Sequence, residues 1–319
     1  MSYNSRTKKK LTVLFSFYNE QDTINYTYNK ITSIFKKNSF IKNYELIFVD
    51  DNSTDNSLKL LKKIRRKDKK VKIITFSRRF GHMEGIMAGL RNSTGDALVY
   101  LDIDLQDPPE LIPKMFKYFL EEKYDVVFTT RTSRAGESLF KRALSSVGYY
   151  FLKRTTNIDM QSNSGDFRLI SRKVINHYTK FNEINPFYRF LIDWIGFKRK
   201  QIFYARKPRK KGESKFPIGF NVIKQFFEIS LIPFSDTLLI LIFFVGLIAF
   251  LTSVTIGSVI LVKFFLGMNI PGWTALMTAI LFFGATTSFT LGVMALYISS
   301  IFKEIKKRPS YIIDKKIGF

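Results

Sequence analysis

DALVYLDIDLQD, residues 96–107, decides the fold: an apolar run ends in two aspartates one residue apart, Asp102 and Asp104. A short apolar run bounded by polar residues is typical of a buried strand. Two carboxylates at the end of a strand can turn toward one divalent cation, and hard oxygen ligands suit Mg²⁺ or Mn²⁺. A D-x-D pair alone is common in surface turns, so its meaning depends on the segments around it.

The segments around this strand alternate between short apolar runs and helical patterns. Predicted strands cover residues 11–17, 44–50, 71–76, 96–101 and 125–130. Predicted helices cover residues 22–37, 54–66, 81–92 and 109–121. This alternation predicts an α/β domain with a parallel, doubly wound sheet. The run at residues 11–17 is too short for a signal-peptide core, so no exported segment is expected.

Polar clusters follow the first four predicted strands. They are Tyr18-Asn19-Glu20, Asp50-Asp51-Asn52-Ser53, Ser77-Arg78-Arg79 and Asp102-Ile103-Asp104. Ligands of such sheets bind at the carboxyl ends of the strands. The position of the aspartate pair among three other polar strand ends therefore predicts a metal and diphosphate site.

Two of these clusters have a structural alternative. Asp50 or Asp51 can accept hydrogen bonds from a ribose or a base, but the same turn can cap the next helix through Ser53 or Thr54. Tyr18 can stack on a base. Glu20, in the same cluster, can bind ribose or cap its own helix. The residues alone leave both interpretations open.

Composition narrows the classes of partner. The chain of 319 residues has 51 Lys and Arg against 26 Asp and Glu, a formal net charge of +25. That excess predicts a phosphorylated substrate, an anionic membrane surface or nucleic acid as partner. The chain has no cysteine and two histidines, which excludes thiolate metal sites and argues against a multi-histidine site.

Two C-terminal stretches, residues 237–262 and 273–302, contain no charged residue. Each exceeds the roughly 20 apolar residues that cross a ~30 Å hydrocarbon core. A buried helix pair would need more covering protein than the chain has left. The sequence therefore predicts a transmembrane hairpin.

Basic residues flank this hairpin. Ten Lys and Arg lie between residues 196 and 224, six lie between 303 and 316, and the connecting loop has only Lys263. The positive-inside rule then predicts that both ends are cytoplasmic. The expected organisation is a cytoplasmic domain (1–215), an interfacial amphipathic segment (216–236), the hairpin (237–302) and a basic tail (303–319).

Two further features concern the membrane. Residues 138–154 and 216–234 are amphipathic; the first fits an interfacial or a core-facing helix equally well, and for the second the interfacial position is favoured. Small residues in the second span would permit close helix packing, and hence a homo-oligomer. They are Gly284, Ala285, Ser288 and Gly292.

Four runs in order resemble glycosyltransferase family 2: SFYNE (16–20), FVDDNSTDNS (48–57), SRRFGHMEGIMAGL (77–90) and YLDIDLQDPPEL (100–111). The resemblance implies the GT-A fold, a Rossmann-like nucleotide-diphosphosugar domain. Later runs resemble the bacterial polyprenyl-phosphate (bactoprenol) glucosyltransferases, relatives of dolichol-phosphate mannose synthase. They are RTSRAGESLFKRALSSVGYYFL (131–152), SGDFRLISRKV (164–174) and PFYRFLIDWIGFKRKQIFYARKPRKKGESKFPI (186–218). Many such relatives have Pro, Gly and Ala where this chain has Ser16, Asn52 and Ile103. Because these positions line the site with their backbone, the resemblance implies adjusted rather than lost activity.

The resemblance also implies residue roles. Asp102 and Asp104 would hold the metal and the donor diphosphate, with Gln106 near the donor sugar and His82 framing the nucleotide pocket or capping its helix. The nucleotide-sugar set is Ser16, Tyr18, Glu20, Asp50, Asp51, Arg79, Asp102, Ile103 and Arg131.

Asp166 would face the acceptor as a base or as an orienting carboxylate. A phosphate monoester has a second pKa near ~6 and is largely dianionic at pH 7, so it needs little deprotonation before attack. Positioning is therefore favoured over general-base catalysis, and a structural ion pair with Arg168 is the alternative. The acceptor phosphate set is Arg134, Arg168, Arg206 and Lys215. Attraction to anionic lipid explains most of the other lysines.

The expected activity is inverting transfer of a hexose, glucose first, from a UDP-sugar to undecaprenyl or another polyprenyl phosphate. It would take place on the cytoplasmic face of the plasma (inner) membrane, with the chain as a multi-pass protein. N-acetylglucosamine and mannose remain alternative sugars. A processive polysaccharide synthase usually has more spans and a Q-x-x-R-W signature, which this sequence lacks. A membrane-tethered nucleic-acid-binding protein is disfavoured because the basic residues concentrate beside the spans.

Overall fold

The computed structural model describes residues 9–132, 164–181, 188–205, 237–268 and 272–319. The chain divides into two units. The sheet unit comprises residues 1–149, 158–216 and 309–319, and the helix unit comprises residues 150–157 and 217–308. The two amphipathic segments predicted at residues 138–154 and 216–234 lie outside the described residues.

An eight-stranded sheet forms the centre of the sheet unit. In chain order its strands are β1 (Leu11–Phe17), β2 (Tyr44–Asp50), β3 (Val71–Phe76), β4 (Ala97–Tyr100), β5 (Val126–Arg131), β6 (Ser164–Ser171), β7 (Arg199–Tyr204) and β8 (Ile313–Ile317). Their order across the sheet is β7-β5-β6-β4-β1-β2-β3-β8.

The sheet is mixed rather than wholly parallel. β1 pairs in parallel with β2 and β4, β2 with β3, and β5 with β7. β6 lies antiparallel between β4 and β5, and β8 lies antiparallel on β3. The prediction of a parallel α/β sheet is confirmed for β1 to β4. For the whole sheet it is corrected, because strands from distant parts of the chain join it in the opposite direction.

Helices connect and cover the strands. They are α1 (Gln21–Lys36), α2 (Ser57–Lys67), α3 (His82–Asn92), α4 (Ile112–Glu121, after a 3₁₀ turn at Pro109–Leu111), α5 (Arg172–Tyr178) and α6 (Tyr188–Ile195). Every residue of β1 is buried. Burial along a whole strand is expected where helices cover both faces of a sheet.

Two glycines let α3 approach β1 closely. A Cβ on Gly85 would lie 2.0 Å from Ser16 Oγ, and one on Gly89 would lie 2.1 Å from a methyl carbon of Leu14. Both contacts are far inside van der Waals distance, so a larger side chain at either position would push the helix away. The close packing sets the position of the α3 N-terminus beside the carboxyl end of the sheet.

The amino-terminal edge of the sheet contains a buried carboxylate with many partners, Glu45. Its oxygens accept hydrogen bonds from Lys10 Nζ at 2.7 Å, Thr12 Oγ1 at 2.7 Å, Thr94 N at 2.7 Å and Thr94 Oγ1 at 2.8 Å. Lys72 Nζ lies 2.9 Å away. These contacts join the beginnings of β1, β2 and β3 to the loop before β4.

The last strand, β8, belongs to the segment predicted as a basic tail. Its register aligns Ile317 with Ile73, Lys316 with Ile74, and Ile313 with Phe76, with an irregularity after Thr75. The sheet therefore contains strands that precede the two long apolar helices in the sequence and one strand that follows them.

The helix unit contains α7 (Thr237–Phe265) and α8 (Trp273–Ile305) among its described residues. Ile242–Val259 and Ala279–Ile305 are long and apolar enough to cross a membrane, as judged by length and composition. Of the residues in the first stretch 6% are buried, and in the second stretch 0%. The part of the chain that the structure describes therefore does not cover these helices as it would the core helices of a soluble domain.

Candidate functional site

Asp51 ties the end of β2 to the beginning of α3. Its Oδ1 accepts from the Phe80 N–H at 2.7 Å and its Oδ2 from the Gly81 N–H at 3.0 Å. Gly81 has φ +128°, in the region that favours glycine. Asp51 is almost completely buried. Its carboxylate therefore shapes the loop at residues 77–81, which we call the donor loop.

The loops after β1 and β2 interlock. Asn19 N donates to Ser53 Oγ at 2.9 Å, and Thr54 N donates to Asn19 Oδ1 at 2.8 Å. Asp50 Oδ1 accepts from Ser53 N at 2.8 Å, and burial raises the pKa of Asp50. Helix α2 begins at Ser57 with Asn56 at the N-cap, so the suggested caps at Ser53 and Thr54 are wrong. Those residues bind the neighbouring loop instead.

Backbone conformation in these loops accounts for one departure from the resembled family. Asn19 has φ 53° and Asn52 has φ 59°. Asparagine is among the residues that tolerate this left-handed region best after glycine. Asn52 can therefore adopt the left-handed conformation of this turn.

Tyr18 and Arg79 form an open pair at the carboxyl edge. The Arg79 guanidinium lies 4.3 Å from the centre of the Tyr18 ring, and Arg79 Nε lies 3.9 Å from Asp51 Oδ2. The Arg79 side chain is 66% exposed. A planar ring and a planar cation at an accessible edge can take up a flat, anionic ligand. Glu20 stands at the N-cap of α1 without a side-chain capping bond, and its Oε2 accepts from Thr23 Oγ1 at 3.2 Å.

The aspartate pair lies where the sequence predicts it, directly after β4. The Tyr100 hydroxyl donates to Asp102 Oδ1 at 2.9 Å, and His82 Nε2 lies 2.7 Å from the same hydroxyl oxygen. Because that hydroxyl has one proton, the bond to Asp102 requires His82 Nε2–H to donate to Tyr100. Burial raises the pKa of Asp102, and the nearby charge of Asp166 raises it further.

A tight turn carries Asp104. Leu105 has φ 50° and its N–H donates to Asp102 O at 3.2 Å. Asp104 Oδ1 accepts from Gln106 N at 3.2 Å. Ile103 O accepts from Thr27 Oγ1 at 2.6 Å, and the Ile103 side chain belongs to the hydrophobic core. Ile103 is one of the residues predicted to bind the nucleotide-sugar, but its side chain lies in the core, so only its backbone can face the site. Ser16 is also buried, and its Oγ has no hydrogen-bond partner among the described residues.

A second polar group at this edge joins β5 and β7. The buried Asp107 accepts a short hydrogen bond from the Tyr204 hydroxyl, and Arg131 Nε donates to that hydroxyl oxygen at 3.2 Å. Burial, with the charge of Asp107, raises the pKa of Tyr204 to about 12. Sequence reasoning named Arg131 but missed Asp107 and Tyr204. Asp107 could have been found, because it lies inside the quoted run at residues 100–111.

Asp166 and Arg168 lie two residues apart on β6 and so point to the same face of the sheet. Arg168 is fully buried and pairs in register with Tyr100 of β4. Its guanidinium lies 5.6 Å from the centre of the Tyr188 ring. Burial raises the pKa of Tyr188, and the charge of Asp166 adds to the effect. Tyr100 and Tyr188 therefore belong to this site, although the sequence singled out neither. Arg134, Arg206 and Lys215 lie outside the described residues.

The aspartate pair fits a divalent cation that binds together with a phosphorylated ligand. Within the described ranges, no group of three or more His, Cys, Asp or Glu side chains is arranged to hold a metal by itself. Mg²⁺ commonly uses one or two carboxylates, with substrate phosphates and waters completing its shell. Asp102 and Asp104 offer that set. Burial raises the pKa of Asp102, and a bound cation would favour its charged form.

Comparisons with known proteins identify the family of this chain. The family model for glycosyl transferase family 2 matches residues 12–179. The Bacillus subtilis protein named uncharacterized glycosyltransferase YkcC is 38% identical over 96% of this chain and 94% of its own length. The Escherichia coli prophage bactoprenol glucosyl transferase homolog is 30% identical over 96% and 99%. The bactoprenol glucosyl transferase of Shigella phage SfII is 29% identical over 96% and 98%.

The family match covers more than half of the chain, and two of these relatives reach at least 30% identity over nearly its whole length. The family match includes the carboxyl ends of β1 to β5. The chain therefore belongs to glycosyltransferase family 2, and it is a glycosyltransferase with the GT-A fold.

Proposed function

We propose that the protein transfers a hexose, with glucose as the first candidate, from a UDP-sugar to a polyprenyl phosphate such as undecaprenyl phosphate. The observation that carries the proposal is the placement of Asp102 and Asp104 beside Asp166 and Arg168 at one edge of the sheet. In this arrangement, the pair proposed to hold the diphosphate would lie next to the pair proposed to act on the acceptor. The relatives named bactoprenol glucosyl transferases support the lipid acceptor and the choice of glucose.

Asp102 and Asp104 would hold the divalent cation, Mg²⁺ or Mn²⁺. When bound, the cation supplies charge neutralisation for the departing diphosphate. The Tyr100 hydroxyl orients the Asp102 carboxylate through its 2.9 Å hydrogen bond. The Gln106 N–H does the same for Asp104.

On the donor side, Tyr18 and Arg79 would bind the nucleotide, the ring by stacking and the guanidinium by its charge. Asp51 acts indirectly, because both of its oxygens accept hydrogen bonds from the donor loop. Asp50, Glu20 and Ser16 would complete this side of the pocket. Arg131, in its network with Asp107 and Tyr204, would border the donor near its sugar.

On the acceptor side, the positive charge of Arg168 would attract the lipid phosphate, and Asp166 would orient Arg168 or a sugar hydroxyl. A lipid phosphate oxygen attacks the anomeric carbon, the bond from that carbon to the diphosphate oxygen breaks, and UDP leaves with the electron pair. A single displacement inverts the anomeric centre, so an α-linked donor gives a β-linked product. Since the phosphate is largely dianionic at pH 7, positioning and charge contribute more than proton removal. Arg134, Arg206 and Lys215 are proposed to add positive charge near the membrane.

We further propose that α7 and α8 span the plasma membrane and that the sheet unit is cytoplasmic. The strand that follows α8 lies in the same sheet as the strands that precede α7, so both ends of the helix pair belong on one side of the membrane. The excess of basic residues at both ends favours the cytoplasmic side. The proposed boundaries remain 1–215, 216–236, 237–302 and 303–319. Self-association through the small residues of α8 is part of this proposal.

The test is to incubate the purified full-length chain with undecaprenyl phosphate, Mg²⁺ or Mn²⁺, and labelled UDP-glucose, UDP-N-acetylglucosamine or GDP-mannose in parallel. We expect a lipid-linked sugar with UDP-glucose. A product with another donor alone would replace glucose but keep the acceptor. Absence of lipid-linked product with every donor would overturn the proposal.

A further inference from the structure

Strand β8 lies next to the part of the sheet that leads into the donor loop. It pairs with β3, and β3 ends at Phe76, one residue before that loop begins. The pairing continues beyond the strand itself, because Ser77 N donates to Ile312 O at 3.1 Å. The first residue of the donor loop is therefore held by the C-terminal segment.

Aromatic contacts extend this connection toward Asp51. The Tyr311 ring stacks on the Phe76 ring, with centres 5.3 Å apart and planes 23° apart. Phe76 in turn meets Phe80 edge to face at 5.6 Å. The Phe80 N–H donates to Asp51 Oδ1 at 2.7 Å. Tyr311 is thus linked by two ring contacts to one of the hydrogen bonds that shape the loop.

The two arginines of the donor loop point away from the C-terminal segment. Arg78 folds back over Phe80, with its guanidinium 4.0 Å from the ring centre, and Arg79 reaches out to Tyr18. Both arginines are largely exposed. The position of Arg79 over Tyr18 therefore depends on where the loop backbone is held.

We propose that Tyr311 is a positioning residue for the nucleotide site. It acts through Phe76 and Phe80, so that the segment after the second apolar helix sets the geometry of Arg79 and Tyr18. The inference rests on the proposed function in one respect, namely that the donor nucleotide binds at the donor loop. Its structural part, control of the loop by Tyr311, does not depend on the identity of the donor.

The experiment compares Tyr311→Ala, Tyr311→Phe and the control Lys315→Ala in the full-length chain. Lys315 lies on the same strand with a side chain that is 67% exposed. We expect Tyr311→Ala to raise the KM for the UDP-sugar about 3- to 10-fold, as loss of an aromatic pair predicts, with kcat nearly unchanged. Tyr311→Phe, which keeps the ring, and Lys315→Ala should behave like the wild type. An unchanged KM in Tyr311→Ala would overturn the proposal.

Amide hydrogen exchange separates this inference from the proposed function, because it needs no sugar donor. In Tyr311→Ala the amides of Phe80 and Gly81 should exchange faster relative to those of β1. Equal acceleration in the loop and in β1 would mean that Tyr311 only stabilises the sheet, and the inference would fail. Faster loop exchange in a chain whose wild type transfers no sugar would keep the inference and reject the proposed function.

Discussion

The pKa values of buried carboxylates shift in opposite directions at the two edges of the same sheet. At the amino edge, Glu45 is buried among two lysines, two hydroxyls and a backbone N–H. Although burial alone would raise it, these hydrogen bonds lower the pKa of Glu45 to about 2. At the carboxyl edge, Asp102 has a raised pKa because burial, with the charges of Asp166 and Asp107, outweighs the opposing effects of His82 and of the hydrogen bond from Tyr100. Burial likewise raises the pKa of Asp50 and Glu84 at that edge.

The difference separates stability from function. A carboxylate whose partners are part of the fold stabilises the folded chain without a bound ligand. A carboxylate whose pKa is raised by burial costs stability in its charged form, and a bound cation would offset that cost. Substitutions at the two edges should therefore have opposite consequences, and the predictions below test that contrast.

The largest effect is expected at the carboxyl edge. Asp104→Asn should lower transferase activity about 10²-fold or more, because it removes one of two proposed cation ligands. Stability should stay equal or rise, since one negative charge leaves an acidic group. Activity at limiting Mg²⁺ and the thermal midpoint are the two measurements, with the exposed Asp22→Asn as control. Unchanged activity at limiting Mg²⁺ would remove Asp104 from the site.

Glu45→Gln should give the reverse pattern. Loss of the buried charge leaves Lys10 and Lys72 without their anionic partner, which should cost about 3 kcal/mol of unfolding free energy. Activity per folded molecule should be unchanged. Denaturant unfolding of the detergent-solubilised chain measures the first quantity, and Glu122→Gln, an exposed change, is the control. If Glu45→Gln had wild-type stability but low activity, the amino edge would serve function rather than stability, and the comparison would be wrong.

The pH dependence of stability sharpens the same comparison. The pKa of Glu45 is lowered from 4.5 to about 2, so its contribution is fully present above pH 4.5 and is lost as the pH falls toward 2. The stability difference between wild type and Glu45→Gln should therefore shrink by about 3 kcal/mol over that range. Thermal midpoints of both chains between pH 6 and pH 2 would show this. A difference that stays constant would mean that the charge of Glu45 is not what stabilises this edge.

The smallest effect is expected at Tyr100. Tyr100→Phe keeps the ring and its packing but removes the hydroxyl between His82 and Asp102. Loss of an orienting hydrogen bond to a proposed cation ligand should weaken Mn²⁺ binding in the presence of UDP about tenfold. Electron paramagnetic resonance of free Mn²⁺ measures this without turnover, and the exposed Tyr26→Phe is the control. Equal Mn²⁺ affinity would show that Asp102 needs no support from Tyr100.

Local pattern was sufficient for the first part of the fold. The predicted strands at residues 11–17, 44–50 and 71–76 coincide with β1, β2 and β3, because each is a buried apolar run bounded by polar residues. The aspartate pair also lies at the predicted strand end. These features depend on neighbouring residues, which a sequence displays directly.

What the sequence did not reveal depends on distant partners. β8 reads IDKKI, with three charged residues in five, so nothing local indicates a strand; its pairing with β3 provides the stabilisation. The bond between Asp107 and Tyr204 joins residues 97 positions apart. Tyr188 stands within the quoted run at residues 186–218, but nothing next to it in the sequence marks its side chain as part of the site. Only the assembled sheet brings such residues together.

The late position of β8 in the chain has a consequence for synthesis. The outer edge of β3 is complete once Phe76 has left the ribosome, but its partner strand is made only after both apolar helices. During that interval the edge presents unpaired N–H and C=O groups to any other extended chain. The nascent protein therefore passes through a stage in which it is prone to pairing with another copy. Once β8 has been made it can pair with β3 and cover this edge.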